Sequence, residues 1–378
     1  MAVETFTVTA MDGAARAGVL RTAHGDVPTP AFMPVGTKGT VKGVHPDELR
    51  ALGTTILLGN TYHLHLRPGE ELIAGLGGLH AFMGWDGPIL TDSGGYQVFS
   101  LRHTITRADD EGVTFRSVYD GDLTLLTPEI AAGIQRKLGS DIAMCLDQVP
   151  PPDVGRAELE TAVRRTTAWA TRQQRAERAP GQLLFGIAQG HTDGELRRRS
   201  IAELEELDLD GYALGGLAIG EERGQMLETT AWAAPLLPEH KPRYFMGIGD
   251  PAGILDVIER GIDMFDCVWP TRLGRTGTAL TWEGRLNLKN ARFSRDRAPL
   301  DEHCTCPACE RFSRAYLRHL VNQNELLGLR LLTLHNLRFL LEMTAGARRA
   351  IEEGRFASYR REALERVART PEEAVWAR

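Results

Sequence analysis

Two aspartates and a cysteine cluster are the residues in this chain best suited to chemistry. Asp92 opens TDSGGYQVFS, and Asp266 lies within MFDCVWPTRLGRTG, followed by Arg272 and Arg275. The glycines after Asp92 let the backbone approach a ligand and offer N–H donors. Tyr96, next along, can lay its ring against a flat substrate. A carboxylate pair at one site suits glycosyl transfer, with one attacking an anomeric carbon and the other moving protons. Asp147 and Gln189 form a second set. A carboxylate beside an amide can read a donor–acceptor edge such as that of guanine. Gly215 and Gly216 would leave backbone N–H groups free next to it.

The cysteine cluster has a different character. Cys304, Cys306 and Cys309 in CTCPAC are too close to pair readily among themselves as disulfides. With His335, from TLHNL, they complete a Cys3His tetrahedral zinc shell, which is closed to substrate and therefore structural. His303 competes for the fourth position, but adjacency to Cys304 hinders both from pointing at one ion. Cys145 and Cys267, each near one of the acids, read as small buried hydrophobes.

These residues need a scaffold that gathers them. Short apolar runs end in polar signatures at Asn60, Asp92, Asp147, Gln189, Gly215–Gly216, Gly249 and Asp266, with amphipathic stretches between them. Thr127-Pro128-Glu129 is an N-cap with proline at the first helical position. Leu159, Val163, Thr166 and Trp169 recur at helical spacing. Alternating strands and helices predict a closed (β/α)8 barrel whose active site lies at the C-terminal strand ends. We expect the main part of that barrel over residues 1–284. A zinc-binding subdomain is expected over 285–335, and a helical segment over 336–378 that packs on barrel or lobe and ends in a loosely held TPEEAVWAR. The arginines at 197–199 read as solvated surface.

The net charge of −6 gives no global sign of nucleic acid. Any RNA affinity must come from a local patch. Arg272, Arg275, Arg285, Lys289, Arg292, Arg295 and Arg297 supply a candidate, running from the Asp266 segment towards the cysteines. Five cysteines, three claimed by a metal, fit a reducing cytosol. Neither a signal peptide nor a bilayer-spanning run is visible.

Taken together, the motifs resemble those of the bacterial-type tRNA-guanine transglycosylases (queuine tRNA-ribosyltransferases). The likeness runs through PTPAFMPVGTKGTVKG, LLGNTYHLHLRPG, GGYQVFSL, GGLAIGE, MFDCVWPTR, CTCPAC and HNL, nearly the whole chain. It implies a zinc-containing barrel that exchanges guanine at the anticodon wobble position for a 7-deazaguanine base. Asp266 would be the nucleophile on C1′ of the wobble guanosine, and Asp92 the general acid/base. Asp147, Gln189, Gly216 and the Leu217 backbone would hold the base edge, with Tyr96 and Met246 on its faces. The target nucleotide must leave its stack to reach such a pocket. Arg272 and Arg275 would meet the anticodon stem-loop, with Arg285 and Lys289 extending the RNA track. The resemblance also implies a homodimer, with Trp85, Phe312, Tyr316 and His319 near its interface.

Some residues depart from the family pattern. CLDQVPPP puts Val149 where a cysteine is usual, as in queuine-using relatives, whereas Ile219 keeps the bulk of the bacterial enzymes and Glu221 is retained. The reading is 7-aminomethyl-7-deazaguanine as incoming base, with queuine as the alternative. His191 stands where a second glycine is usual. A non-catalytic RNA-binding subunit is the other reading, but such a partner lacks the two aspartates.

Overall fold

The computed structural model describes residues 4–367, so the C-terminal segment TPEEAVWAR and its expected behaviour lie outside the described residues. Eight strands close a parallel barrel in sequence order. They are β1 (Ala31–Gly36), β2 (Leu57–Gly59), β3 (Ile89–Thr91), β4 (Ile142–Met144), β5 (Leu183–Ala188), β6 (Gly211–Leu214), β7 (Arg243–Phe245) and β8 (Met264–Cys267). The seam is β8 on β1, with Asp266 opposite Met33. The runs anticipated from sequence supply seven of these strands or their ends; β1 is the eighth.

Alternation along the strands fixes what faces inward. Met33, Val35, Leu58, Leu90, Ile142, Met144, Phe185, Ile187, Tyr244 and Met264 share one cluster inside the barrel, while Phe32, Ala143 and Phe265 pack outward against helices. Continuing the period of two carries Leu90 to Asp92, Ile187 to Gln189, Tyr244 to Met246 and Met264 to Asp266. The barrel interior therefore delivers these side chains to its C-terminal mouth.

The opposite mouth is plugged. An antiparallel sheet of Phe6–Asp12, Ala15–Thr22 and Gly25–Thr29 inserts Phe6, Leu20 and Val27 into the interior cluster. Buried Arg16 pairs with Asp263 at the start of β8 and donates to the carbonyls of Glu239 and Lys241. At the start of β4, Asp141 accepts from the His24 ring (2.8 Å), the His80 ring (3.1 Å) and the Ile89 N–H (2.8 Å). The two rings stack at 3.6 Å with only 18° between planes. A metal lies in the plane of each imidazole it binds, and two near-parallel planes offer no common point, so this trio is a hydrogen-bonded clasp.

Burial works to raise the Asp141 carboxyl, but the bonds from His80, Ile89 and His24 prevail and hold it below its ordinary range. A depressed carboxylate stabilises above its unfolded pKa, and the contribution is lost as pH falls through the folded value. Asp141→Asn is expected to cost about 2 kcal/mol at pH 7. The deficit should shrink below about pH 4 in urea melts; a deficit unchanged at pH 3 would refute the linkage.

Helices α1 (Pro128–Leu138), α2 (Arg156–Gln174), α3 (Gly194–Glu205) and α4 (Pro251–Glu259) surround the barrel. Thr127 caps α1, and α2 buries Leu159, Val163, Thr166 and Trp169, as their spacing predicts. After β8 come α5 (Trp269–Thr276), a hairpin of Thr278–Thr281 and Gly284–Asn287, and the cysteine lobe. The long α6 (Leu326–Glu352) then runs from the lobe back to the barrel, and α7 (Phe356–Val367) packs on it. At Gly274 a Cβ would lie 2.6 Å from the Thr333 nitrogen, so only glycine lets α5 and α6 approach this closely. Among the described residues no helix is long and apolar enough to cross a membrane.

Candidate active site and metal centre

Asp92 leaves β3 with both carboxylate oxygens engaged. The Thr61 N–H donates to Oδ1 at 2.8 Å and the Asn60 side-chain amide to Oδ2 at 2.5 Å. Asn60 also caps the helix Thr61–Leu66 by accepting from the His63 N–H, so the residue that orients Asp92 is itself fixed. Burial, and then the neighbouring charges of Asp266 and Asp147, raise the Asp92 carboxyl to about 7 against the opposing bonds from Thr61 and Gly94. On β8, Asp266 takes the Tyr244 hydroxyl (2.6 Å) and the Gly247 N–H (3.0 Å) on the same oxygen, Oδ1. Burial raises it too. A carboxyl raised by burial and by a neighbouring carboxylate is suited to hold and pass on a proton near neutral pH.

Asp147 accepts from the Ser93 hydroxyl and the Gln189 amide, each at 2.7 Å. Burial raises it to about 6. A Cβ at Gly95 would sit 2.4 Å from the Asp147 carbonyl, so the glycine allows the Asp92 loop to close onto Asp147. The Gln189 Oε1 is buried without a partner, and a Cβ on Gly216 would lie 2.6 Å from it. An unmet acceptor beside a carboxylate and a glycine backbone suits a planar ligand edge carrying N–H donors. Tyr96 is half exposed on the helix after Asp92, and Met246 lies partly buried at the end of β7.

Basic residues border this mouth. Arg272 and Arg275 are exposed on α5, Arg285 lies over the Trp269 ring, and Lys289 is exposed beyond the hairpin. The sequence reading assigned no role to Lys38, Lys42, Arg67 or Tyr119. Lys38 and Arg67 face the Tyr119 ring at 5.4 and 4.6 Å. The Lys42 pKa is lowered by burial and by Arg275, Lys38 and Arg272, which marks an accumulation of positive charge. The TKGTVK segment was the available signal.

One expectation is corrected. Arg197 is fully buried rather than solvated. It donates to the carbonyls of Ala188, His191 and Gly215, tying together the loops after β5 and β6. Arg197, Ser200, Ile201 and Leu204 form one i, i+3, i+4, i+7 stripe on α3, and that stripe faces inward.

The Cys304, Cys306 and Cys309 sulfurs and a His335 ring nitrogen all lie within 4.8 Å of one another. His335 Nδ1 is 3.5 Å from Cys306 Sγ and 3.3 Å from Cys309 Sγ. Tetrahedral zinc with ordinary bond lengths would separate such atoms by about 3.6 Å. The His335 Nε2 lies 2.7 Å from the Leu280 carbonyl, which fixes the proton there and leaves Nδ1 free to ligate. The neighbouring Asn336 accepts from the Leu280 N–H and donates to the Pro270 and Thr278 carbonyls, linking the centre to the start of α5. The cluster can hold a metal ion, and it is closed. Burial pushes the Cys145 thiol up, and that of Cys267 up to about 12, so neither is a poised nucleophile.

The chain is similar to known proteins over nearly its whole length. The sequence profile of the family described as Queuine tRNA-ribosyltransferase matches residues 12–369. A queuine tRNA-ribosyltransferase of Thermus thermophilus is 54% identical over 357 residues, covering 94% of this chain and 92% of the relative. One from Solidesulfovibrio magneticus is 55% identical, covering 95% and 96%. One from Sphingopyxis alaskensis is 50% identical, covering 96% and 98%.

Proposed function

Because the chain belongs to the queuine tRNA-ribosyltransferase family, and is thereby a tRNA-guanine transglycosylase acting in queuosine synthesis, we propose that it replaces the wobble guanine of G-U-N anticodons through a ribosyl-Asp266 intermediate. The observation that carries this reading is the placement of buried Asp92 and half-buried Asp266 at one barrel mouth, the charge of Asp266 helping to raise the Asp92 carboxyl. Asp266 Oδ1 is occupied by Tyr244 and Gly247, so Oδ2 is the attacking oxygen on C1′. The C1′–N9 bond breaks, and guanine departs with its electron pair and a proton from Asp92. Asp92, now ionised, takes the N9 proton of the incoming base. That base attacks C1′ from the face guanine left, and Asp266 is released. Two displacements retain configuration, and the proton count closes.

Asp147, Gln189, Gly216 and Leu217 bind the base edge, and Tyr96 and Met246 flank its rings. Arg272, Arg275, Arg285 and Lys289 follow the anticodon stem-loop, joined by Lys38, Lys42 and Arg67. The incoming base is 7-aminomethyl-7-deazaguanine. Ile219, Glu221 and Asp153 line one cavity beside Gly216, and its acidic lining suits an aminomethyl cation. Val149 lines a different hollow, with Phe99 and Arg165, so its departure from the family pattern leaves the acidic wall unchanged.

The metal is zinc, held by Cys304, Cys306, Cys309 and His335; it would stiffen the lobe rather than enter the reaction. We take 1–284 as the catalytic barrel, 285–335 as the metal lobe and 336–378 as the returning helical segment, in a cytoplasmic homodimer. Half-exposed Tyr316, stacked on Phe312, and exposed Leu326 support a second copy covering that face. Trp85, by contrast, is buried within its own protomer.

The test is incorporation of labelled guanine into unmodified tRNA bearing G-U-N, against the same tRNA with adenine at the wobble position. Label in both or in neither refutes the reading. Asp92 must start protonated to give guanine its proton, the step itself leaving it ionised for the incoming base, and Asp147 must be ionised to accept from the base edge. Exchange should therefore decline above about pH 7 and also below about 6. A flat profile from about pH 5 to 8.5 would remove these roles.

A further inference from the structure

His191 lies just beyond β5 and adopts φ 45°, a left-handed conformation seldom taken by residues with a side chain. Its ring is buried. Nδ1 lies 2.9 Å from the Gly216 carbonyl and Nε2 lies 3.1 Å from the Pro151 carbonyl. Both partners can only accept, so the ring bridges two carbonyls that belong to separate loops. The backbone beneath is locked, because buried Arg197 donates twice to the His191 carbonyl and also holds Ala188 and Gly215.

The contact bears on the base site through peptide geometry. In a trans peptide the N–H points opposite to the preceding carbonyl. Holding the Gly216 carbonyl on the ring therefore directs the Leu217 N–H away from His191 and fixes the plane of that peptide. The Pro151 bond ties the same ring to the loop after β4 that begins at Asp147. A Cβ on Gly220 would meet Pro152 at 2.9 Å, so the two loops already touch at their far ends. Between them, Pro152, Asp153, His191, Gly216, Ile219 and Glu221 line a cavity of about 300 Å3.

We propose that His191 is a positioning residue for the incoming base: its ring latches the Gly216 carbonyl to the Pro151 carbonyl, and loss of the ring frees the two loops and weakens base binding.

The proposal rests on the base-binding reading of Gly216 and Leu217. Its test uses the full-length enzyme with unmodified tRNA and guanine. His191→Gly fits the backbone and removes both bonds; the KM for guanine should rise about tenfold while kcat and the KM for tRNA change less than twofold. His191→Asn tolerates the same backbone and keeps a donor near Nδ1, so it should recover most of that loss. A guanine KM within twofold of the wild type in His191→Gly, or no recovery in His191→Asn, overturns the latch. Absence of exchange by the wild type would instead bring down the functional reading on which the latch depends.

Discussion

Asp266→Asn is expected to lose base exchange by a factor on the order of 10^4 or more while the protein stays at least as stable as the wild type. The amide oxygen can still accept from Tyr244 and Gly247, because both bonds fall on one oxygen, Oδ1, so the site keeps its shape. What would disappear is the proposed nucleophile. The stability forecast comes from the same burial. A carboxyl whose folded pKa is raised holds its proton more tightly when folded, so its contribution becomes less favourable as pH rises from the unfolded value through the folded one. At pH 8 the variant should melt a few degrees higher, and at pH 4 the two proteins should coincide. Thermal melts at both pH values, beside the labelled-guanine assay, check both halves. Wild-type activity in the variant would remove Asp266 from the reaction, and a lower melting point at pH 8 would show that its charge stabilises the fold.

Cys306→Ala is expected to have the largest effect on the folded state. Cys306 is buried in a small core with Leu286, Phe293, Leu317 and Leu332. Structural zinc sites contribute on the order of 10 kcal/mol to the folding of small domains. The variant should lose about one equivalent of zinc per chain by metal analysis, together with several kcal/mol of stability. The functional loss should fall on tRNA: the KM for tRNA should rise at least about tenfold, with a smaller change in kcat. His335 and Asn336 tie the centre to the start of α5, and Gly274 seats α5 on α6, so an unfastened lobe would displace Arg272 and Arg275 before it reached Asp266. Unchanged metal content and melting would defeat the zinc assignment.

Much of this arrangement was legible in the residues, for reasons that differ by element. Strands buried on both faces read as apolar runs, and polar residues at their ends marked the mouth without any knowledge of their contacts. Strand β1 escaped because Pro30 and Pro34 flank and interrupt AFMPV, and proline argues against a central strand; here Pro34 lies one residue beyond Met33 in register with Cys267. The CTCPAC ligands are local and needed no fold. His335 is remote in sequence, and what suits it to ligate a metal, the Leu280 carbonyl on its far nitrogen, is tertiary. Arg197 was misread because three successive arginines look like a solvated face, although a turn of 100° per residue separates the first from the third. The His24–His80–Asp141 clasp draws on three distant segments and leaves no local pattern.

The seam of the barrel carries a consequence for biosynthesis. The strand bearing Asp266 completes the ring only by pairing with Ala31–Pro34, roughly 230 residues earlier. The last long helix then returns to the beginning, where Arg348 donates to the carbonyls of Gly18 and Thr29. A polypeptide still emerging from the ribosome can expose Asp92, Asp147 and Gln189, but it cannot set Asp266 among them. Contacts of such long range form late. On the proposed mechanism the nascent chain would therefore be inert towards the tRNAs that crowd the ribosome making it, and competence would await the meeting of the first and last strands.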